Sequence, residues 1–424
     1  MTEMTEPGIW QDVPSPFCGI ASDDLKIKVE GNAVAILENG DAVTKKGFET
    51  PITDTSPRVN GKEVSLDQAV SHIADLLRTS KQPVIGGMAT DLNGARSAMA
   101  LADKSRATID NMDSAAGMRN TLVLQDTGWM ITTLTEVRNR VDLLLVVGSD
   151  IEAGFPRFFE RMVWNKESMF DQDIESRQVV YLGKVPSGDV STSPQGKKAQ
   201  VLACDNSDLP EVVSILRALV NGKGIQAEQV GGIAVSDLAV LAEQLKQAKY
   251  SVVAWSAGQL DFDHAEATVQ TVCEMVKDLN LDTRSSGLPL GGKEGGVTVN
   301  QVSAWQAGFP MRTSFNRGYP DYDPYLSDTN RMLANDEVDT LLWVSSFNVD
   351  RTPPQSKAKT IVLGRSGMSF DQEPEVFIPV GTPGIDHVGR AFRTDGVVSV
   401  PLRKLRDSGL PSTFDVLTAV EELI

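Results

Sequence analysis

The sequence predicts an α/β protein built on two parallel sheets, with a small irregular domain at the N-terminus. Three observations predict it. From Pro83 onward, short wholly apolar runs alternate with segments of helical apolar spacing, the pattern of parallel strands covered on both faces. Small-residue loops such as Gly148-Ser149-Asp150 follow the apolar runs, as they do at the carboxyl ends of strands in open α/β sheets. The alternation continues too long for one such domain, so two sheets are expected.

The elements follow in order. Within residues 1–58, Leu25–Val29 and Ala33–Leu37 read as strands around a Glu30-Gly31-Asn32 turn. Thr50–Asn60, with Pro51 and Pro57, reads as a linker. Leu66–Leu77 has helical spacing and follows Ser65, a natural N-cap. Strands are expected at Pro83–Gly86, Leu143–Val147, Gln178–Leu182, Ser251–Trp255, Thr340–Val344 and Thr360–Val362, with an edge-type strand at Val376–Pro379. Helices are expected at Leu92–Ala102, Leu209–Val220, Leu238–Leu245 and His264–Leu279. Leu279–Pro324 is dense in glycine and proline and reads as irregular; a stretch this long inside a compact domain is usually functional or buried.

Composition narrows the function classes. Apolar content of 41% and charged content of 23% are those of a globular protein. A formal charge of -17 disfavours general nucleic-acid or anionic-membrane binding. Three cysteines in a chain of 424 residues make no disulfide framework, so a reducing cytoplasm is expected. The opening Met-Thr-Glu-Met-Thr-Glu has no signal-peptide pattern, and the longest apolar runs are strand-sized.

Ser15–Asp24 has the outline of an iron–sulfur loop with most of its sulfur missing. A cluster normally takes four thiolates. In a C-x₂-C-x₃-C layout three would fall at Ser15, Cys18 and Ser22, and only Cys18 supplies one, because a serine hydroxyl is a poor soft-metal ligand. Taken alone, the stretch also reads as an ordinary loop around one buried cysteine. Gly86-Gly87, Gly148-Ser149-Asp150 and Ser256-Ala257-Gly258 stand where ligands sit in such sheets. Small residues there serve close ligand approach or a tight turn equally well. His72, His264 and His387 are scattered, Cys204 and Cys273 read as small buried hydrophobes, and no H-E-x-x-H, C-x-x-C or G-x-S-x-G occurs.

Several segments taken together resemble the B subunit of formylmethanofuran dehydrogenase, a compact relative of the molybdopterin (DMSO-reductase-like) oxidoreductases. They are Cys-Gly-Ile-Ala-Ser-Asp-Asp at 18–24, Ile109-Asp110-Asn111, Glu136-Val137-Arg138-Asn139-Arg140-Val141-Asp142, Gly148-Ser149-Asp150 and Phe155-Pro156-Arg157. Further on come Asp278-Leu279-Asn280, Thr283-Arg284, Leu288-Pro289-Leu290-Gly291-Gly292, Gly308-Phe309-Pro310 and Phe315-Asn316-Arg317-Gly318-Tyr319-Pro320, then Gly384-Ile385-Asp386 and Arg393-Thr394-Asp395-Gly396. In that family a cysteine or selenocysteine binding tungsten or molybdenum follows the Asp-Asn dipeptide by a few residues. Ala116 holds the matching place here, and the fourth cluster cysteine, due near Asp41–Lys46, has no counterpart.

This loss is similar to that in the B subunit of the formyltransferase/hydrolase complex of methylotrophic bacteria, which carries formaldehyde oxidation on to formate by non-redox steps. The resemblance implies a degenerate molybdopterin-enzyme fold. Residues 1–58 would be a cluster-less cap, 59–112 with 246–400 one α/β domain, 113–245 a second, Rossmann-like one, and 401–424 a tail helix. It implies a non-catalytic structural subunit without Fe–S, tungsten, molybdenum or pterin, with the A, C and D subunits as partners. The alternative is a pterin-binding dehydrogenase with an altered metal ligand. The family's carrier has a polyglutamate tail, for which Arg157 and Arg161, Arg284, Arg312 and Arg317, or Arg390 and Arg393 are the candidate contacts; each can instead pair with an internal carboxylate.

Overall fold

The computed structural model describes residues 3–6, 8–20, 22–170 and 172–424. The chain forms two compact units, residues 1–114 with 292–424, and residues 115–291.

The unit of residues 115–291 is built on a five-stranded, all-parallel sheet. Its spatial order is Gln200–Ala203, Gln178–Gly183, Leu143–Val147, Ser251–Trp255, Ser285–Pro289. The chain enters at the central Leu143–Val147, winds outward, then returns to the other side at Ser251–Trp255. Leu-Leu-Leu-Val-Val is buried along its whole length because it is central and covered on both faces. Helices Leu209–Val220, Val235–Gln247 and Ala265–Leu279 bury Leu209, Val212, Leu216, Leu241, Val272 and Val276 in its core. The edge strand Ser285–Pro289 is shielded by the preceding chain: Gly287 N–H donates to Met130 O (2.8 Å) and Thr132 N–H to Gly287 O (2.9 Å).

The other unit has a nine-stranded sheet. Thr108–Ile109, Pro83–Ala89, Thr340–Ser345, Lys359–Arg365 and Val376–Val380 are parallel neighbours in that order. Short antiparallel strands extend both edges, Thr313–Ser314 with Asp321–Tyr322 on one side and Arg58–Val59 with Lys62–Glu63 on the other. Helices Leu66–Thr79, Leu92–Ser105, Gly296–Ala307 and Thr413–Leu423 cover one face. Ser65 starts the first of them with a capping box, its Oγ accepting from Gln68 N–H and Gln68 Oε1 from Ser65 N–H. A four-stranded antiparallel sheet, Glu3–Glu6, Ile9–Val13, Leu25–Glu30 and Ala33–Glu38, precedes helix Ala42–Glu49.

Five expectations are corrected. The break falls at residue 291 rather than 245, because Ser251–Trp255 pairs along its length with Leu143–Val147. Residues 1–58 are no separate domain: Phe17, Leu25 and Phe48 share one apolar cluster with Phe347, Ile385 and Leu405. Leu279–Pro324 is not irregular, since it holds strand Ser285–Pro289 and helix Gly296–Ala307, the latter flanked by left-handed glycines at both ends. The C-terminal helix is no tail, because Val416, Leu417 and Val420 are fully buried in the core. Val376–Val380 likewise has neighbours on both sides.

Candidate functional site

The N-terminal loop brings its three expected corners together. Ser15, Cys18 and Ser22 are buried, and Ser15 N–H closes the loop on Ser22 O at 2.8 Å. The corners then satisfy one another. Ser22 N–H donates to Cys18 Sγ (3.2 Å), the Cys18 thiol points to Ser22 Oγ (3.6 Å), and Phe17 N–H donates to Ser15 Oγ (3.2 Å). Phe17 packs edge-on against Phe48 and Phe347, and its ring lies 2.4 Å from where a Cβ at Gly47 would stand. Arg365 lies 5.7 Å above the same ring and donates to Phe347 O and Gly47 O; burial pushes its guanidinium down to about 10. The segment due to carry a fourth ligand is a helix start, where Asp41 accepts from Thr44 N–H and Thr44 Oγ1 from Asp41 N–H.

The second expected position, Ala116, lies in the first turn of helix Ser114–Asp126. The chain leading to it is held by buried polar contacts. Asp110, 3% exposed, accepts from Asn111 N–H (2.8 Å) and Thr329 N–H (3.0 Å). Arg312 stands 3.8 Å from Asp110 and ion-pairs with Asp328. Burial pushes the Asp110 carboxyl up to about 6, with the Ser114 hydroxyl and Arg312 acting against it. Asn111 reaches across to Gly87 O at 3.1 Å. Arg351 bridges Asp113 (3.1 Å) and Glu294 (3.4 Å), and Glu294 also accepts from Asn348. Burial pushes the neighbouring Lys293 ammonium down, with the Glu294 and Asp41 carboxylates opposing. The charges in this region therefore compensate one another.

The small-residue stretches resolve differently, and Gly86-Gly87 lies inside strand Pro83–Ala89 rather than in a loop after it. A Cβ at Gly148 (φ +59°) would stand 2.4 Å from Leu209 and 2.5 Å from Leu260. At Gly87 (φ +74°) it would stand 2.6 Å from Val344 O. Both glycines are thus demanded by the protein's own packing. Gly258 has room, its added Cβ lying 3.7 Å from the Ala116 Cβ.

The candidate arginines part into two groups. Arg157 is buried and holds Glu160, Arg312 is buried between Asp110 and Asp328, and Arg393 grips Asp395. Arg161 shares a turn with Arg157, its N–H donating to Arg157 O. Arg284, Arg317 and Arg390 are exposed; they contact Thr283 O, Asp321 and Ser399 Oγ respectively. Sequence reasoning missed the network of Lys293, Glu294, Asn348 and Arg351, whose members lie far apart in the chain; the one local hint is the run of glycines around Lys293 and Glu294.

No protein-family model matches the chain. It is 27% identical to the B subunit of the tungsten-containing formylmethanofuran dehydrogenase 2 of Methanococcus maripaludis, over 94% of each chain. It is 28% identical to the B subunit of the formyltransferase/hydrolase complex Fhc of Methylorubrum extorquens, over 80% of this chain and 89% of that one. A chain of the Methylorubrum extorquens FhcABCD complex, solved with methylofuran, superposes with a TM-score of 0.74 at 26% identity, over 87% of this chain and 98% of that one. The chain is a homologue of these B subunits. Acetylene hydratase from Pelobacter acetylenicus shares the fold, with a TM-score of 0.62 at 8% identity over 97% of this chain and 69% of that one.

A tungsten centre and an iron–sulfur cluster do not fit the residues present in this homologue. Cys18 is the single thiol among the three loop corners, and it is already hydrogen-bonded to Ser22. Ala116, at the position expected from the sequence to match the metal ligand, offers only a methyl group. Among the described residues no three His, Cys, Asp or Glu side chains converge as metal ligands, and no helix is long and apolar enough to cross a membrane.

Proposed function

We propose that this chain is the B subunit of a formyltransferase/hydrolase complex and acts there as a structural, non-catalytic subunit. Its complex would convert formyl-tetrahydromethanopterin to formate through a methanofuran-like carrier, with subunits of the A, C and D type as its partners. The observation that carries the reading is the chemistry at the two degenerate positions, Ala116 and the hydroxyl-lined loop of Ser15 and Ser22. Group transfer and hydrolysis need no electron path, so a B subunit of such a complex can lose its thiolates and keep its fold.

Where this subunit touches a polyglutamate carrier tail, the exposed Arg284, Arg317 and Arg390, with the half-buried Arg161, are the candidate groups, while Arg157, Arg312 and Arg393 are largely buried against Glu160, Asp328 and Asp395. Arginine suits a two-point grip on a carboxylate. Co-purification from native cells under anaerobic conditions, with subunit identification and elemental analysis, tests the proposal. The A, C and D type subunits should appear, with iron, tungsten and molybdenum far below one per chain. Stoichiometric metal with dye-linked formyl-carrier oxidation would make the protein a dehydrogenase subunit instead.

A further inference from the structure

The all-parallel sheet of residues 115–291 reverses its winding between Leu143–Val147 and Ser251–Trp255. Sheets of this kind take a nucleotide in the crevice at that reversal, outside the strand ends, and the phosphates are held by free backbone N–H groups. Here a side chain of the protein bridges that crevice. Gln259 spans from the loop after one strand to the loop after the other. Its Oε1 accepts from Asp150 N–H (2.9 Å) and its Nε2 donates to Asp150 O (2.8 Å). Lys184 Nζ adds a third bond to Oε1 at 3.2 Å.

Further donors of the two loops are spent in the same way. Ser256 N–H donates to Ser149 Oγ (2.8 Å), which in turn donates to Val147 O (3.0 Å). Gly148 N–H goes to Leu182 O, Gln259 N–H to Ser256 O and Glu152 N–H to Asp150 Oδ1. Leu209 and Leu260 close over Gly148 so tightly that no Cβ fits there. Asp150 and Glu152 are buried, and their carboxylates accept from Ser187 N–H (3.2 Å) and Ser191 N–H (3.0 Å).

We infer that Gln259 is the built-in occupant of this crevice: it locks the two strand-end loops together, and the unit takes no nucleotide or dinucleotide there. The inference uses none of the degenerate metal positions, so it stands or falls apart from the proposed function. Gln259 acts here as a positioning residue, through backbone groups of Asp150.

Hydrogen exchange on the full-length chain, purified with whatever partners accompany it, tests the inference. The Asp150 amide is the direct reporter. Gln259→Ala removes two direct bonds of roughly 1 kcal/mol each, so exchange at Asp150 should rise about 30-fold. Gln259→Glu keeps the acceptor and loses the donor, so the rise should be smaller, about fivefold. Guanosine diphosphate or adenosine diphosphate at millimolar concentration should leave wild-type exchange at Asp150 and Ser256 unchanged and show no calorimetric binding. Unchanged exchange in the folded variants, or nucleotide-dependent protection in the wild type, overturns the inference. Should Gln259→Ala fail to fold, Gln259→Glu and the nucleotide measurements on the wild type decide it.

Discussion

Replacing Asp110 by asparagine tests how the Ala116 loop is held. Burial pushes the Asp110 carboxyl from 3.8 up to about 6. The folded chain therefore binds the proton more tightly than the unfolded chain, and the stabilisation from that proton is fully present below the unfolded pKa. It is lost as pH rises towards and through the folded value. Integrated over the whole window, the shift amounts to about 3 kcal/mol. Between about pH 5 and about pH 7.5 the loss is about 1.4 kcal/mol, or about tenfold in an opening equilibrium. Asn111 N–H and Thr329 N–H both donate to this carboxylate. Their exchange, corrected for the intrinsic pH dependence, should accelerate about tenfold over that range in the wild type. Asp110→Asn lacks the titration and should show no such acceleration. It should also exchange faster than the wild type at the lower pH, because an amide offers one acceptor oxygen to two backbone donors, leaving one unpaired at a cost of roughly 1–3 kcal/mol. Equal pH slopes in the two proteins would refute the reasoning.

Three further outcomes are expected. Ala116→Cys alone should confer no formyl-carrier or formate oxidation in a dye-linked assay, because one thiolate leaves the Ser15 and Ser22 loop without a cluster; measurable turnover would contradict this. Gly148→Ala adds left-handed strain of roughly 1–2 kcal/mol to overpacking of roughly 1–3 kcal/mol against Leu209 and Leu260, so its melting temperature should fall by on the order of 10 °C, whereas Gly258→Ala, which meets only the Ala116 methyl at 3.7 Å, should fall by far less. Arg317→Glu changes an exposed residue whose partners, Tyr319 and Asp321, lie on its own loop; it should leave folding intact and raise the apparent KM for a long-tailed carrier without changing that for a tail-less one, as read by steady-state kinetics of the purified complex.

The parallel strands were legible because they are buried on both faces. Leu143–Val147 and Ser251–Trp255 are continuous apolar runs, and a run of five such residues between polar loops has few other readings. Helix Leu66–Thr79 was legible from its helical apolar spacing and from Ser65, whose side chain can satisfy an otherwise unpaired amide. Helix Gly296–Ala307 was not, because it lacks a polar N-cap and its glycine flanks read as loop. The domain break was misplaced for a different reason. Nothing in Ser251–Trp255 says which sheet it joins; pairing register with Leu143–Val147 is a long-range fact with no local trace.

The same limit governs the candidate site. That Ser15, Ser22 and Ala116 supply no thiolate is visible in the order of residues itself. What holds the loops around them is not. A glycine at a strand end looks alike whether it admits a phosphate or a leucine, and only the atoms opposite decide between them. At Gly148 those atoms are Leu209 and Leu260. Beside it, the loops are held by Gln259, Ser149 and Asp150, which contribute hydrogen bonds entirely within the chain. At the N-terminus, Cys18 and Ser22 close on each other and Phe17 packs against Phe48 and Phe347. Both sets of loops are thereby ordered by side-chain contacts within the chain itself.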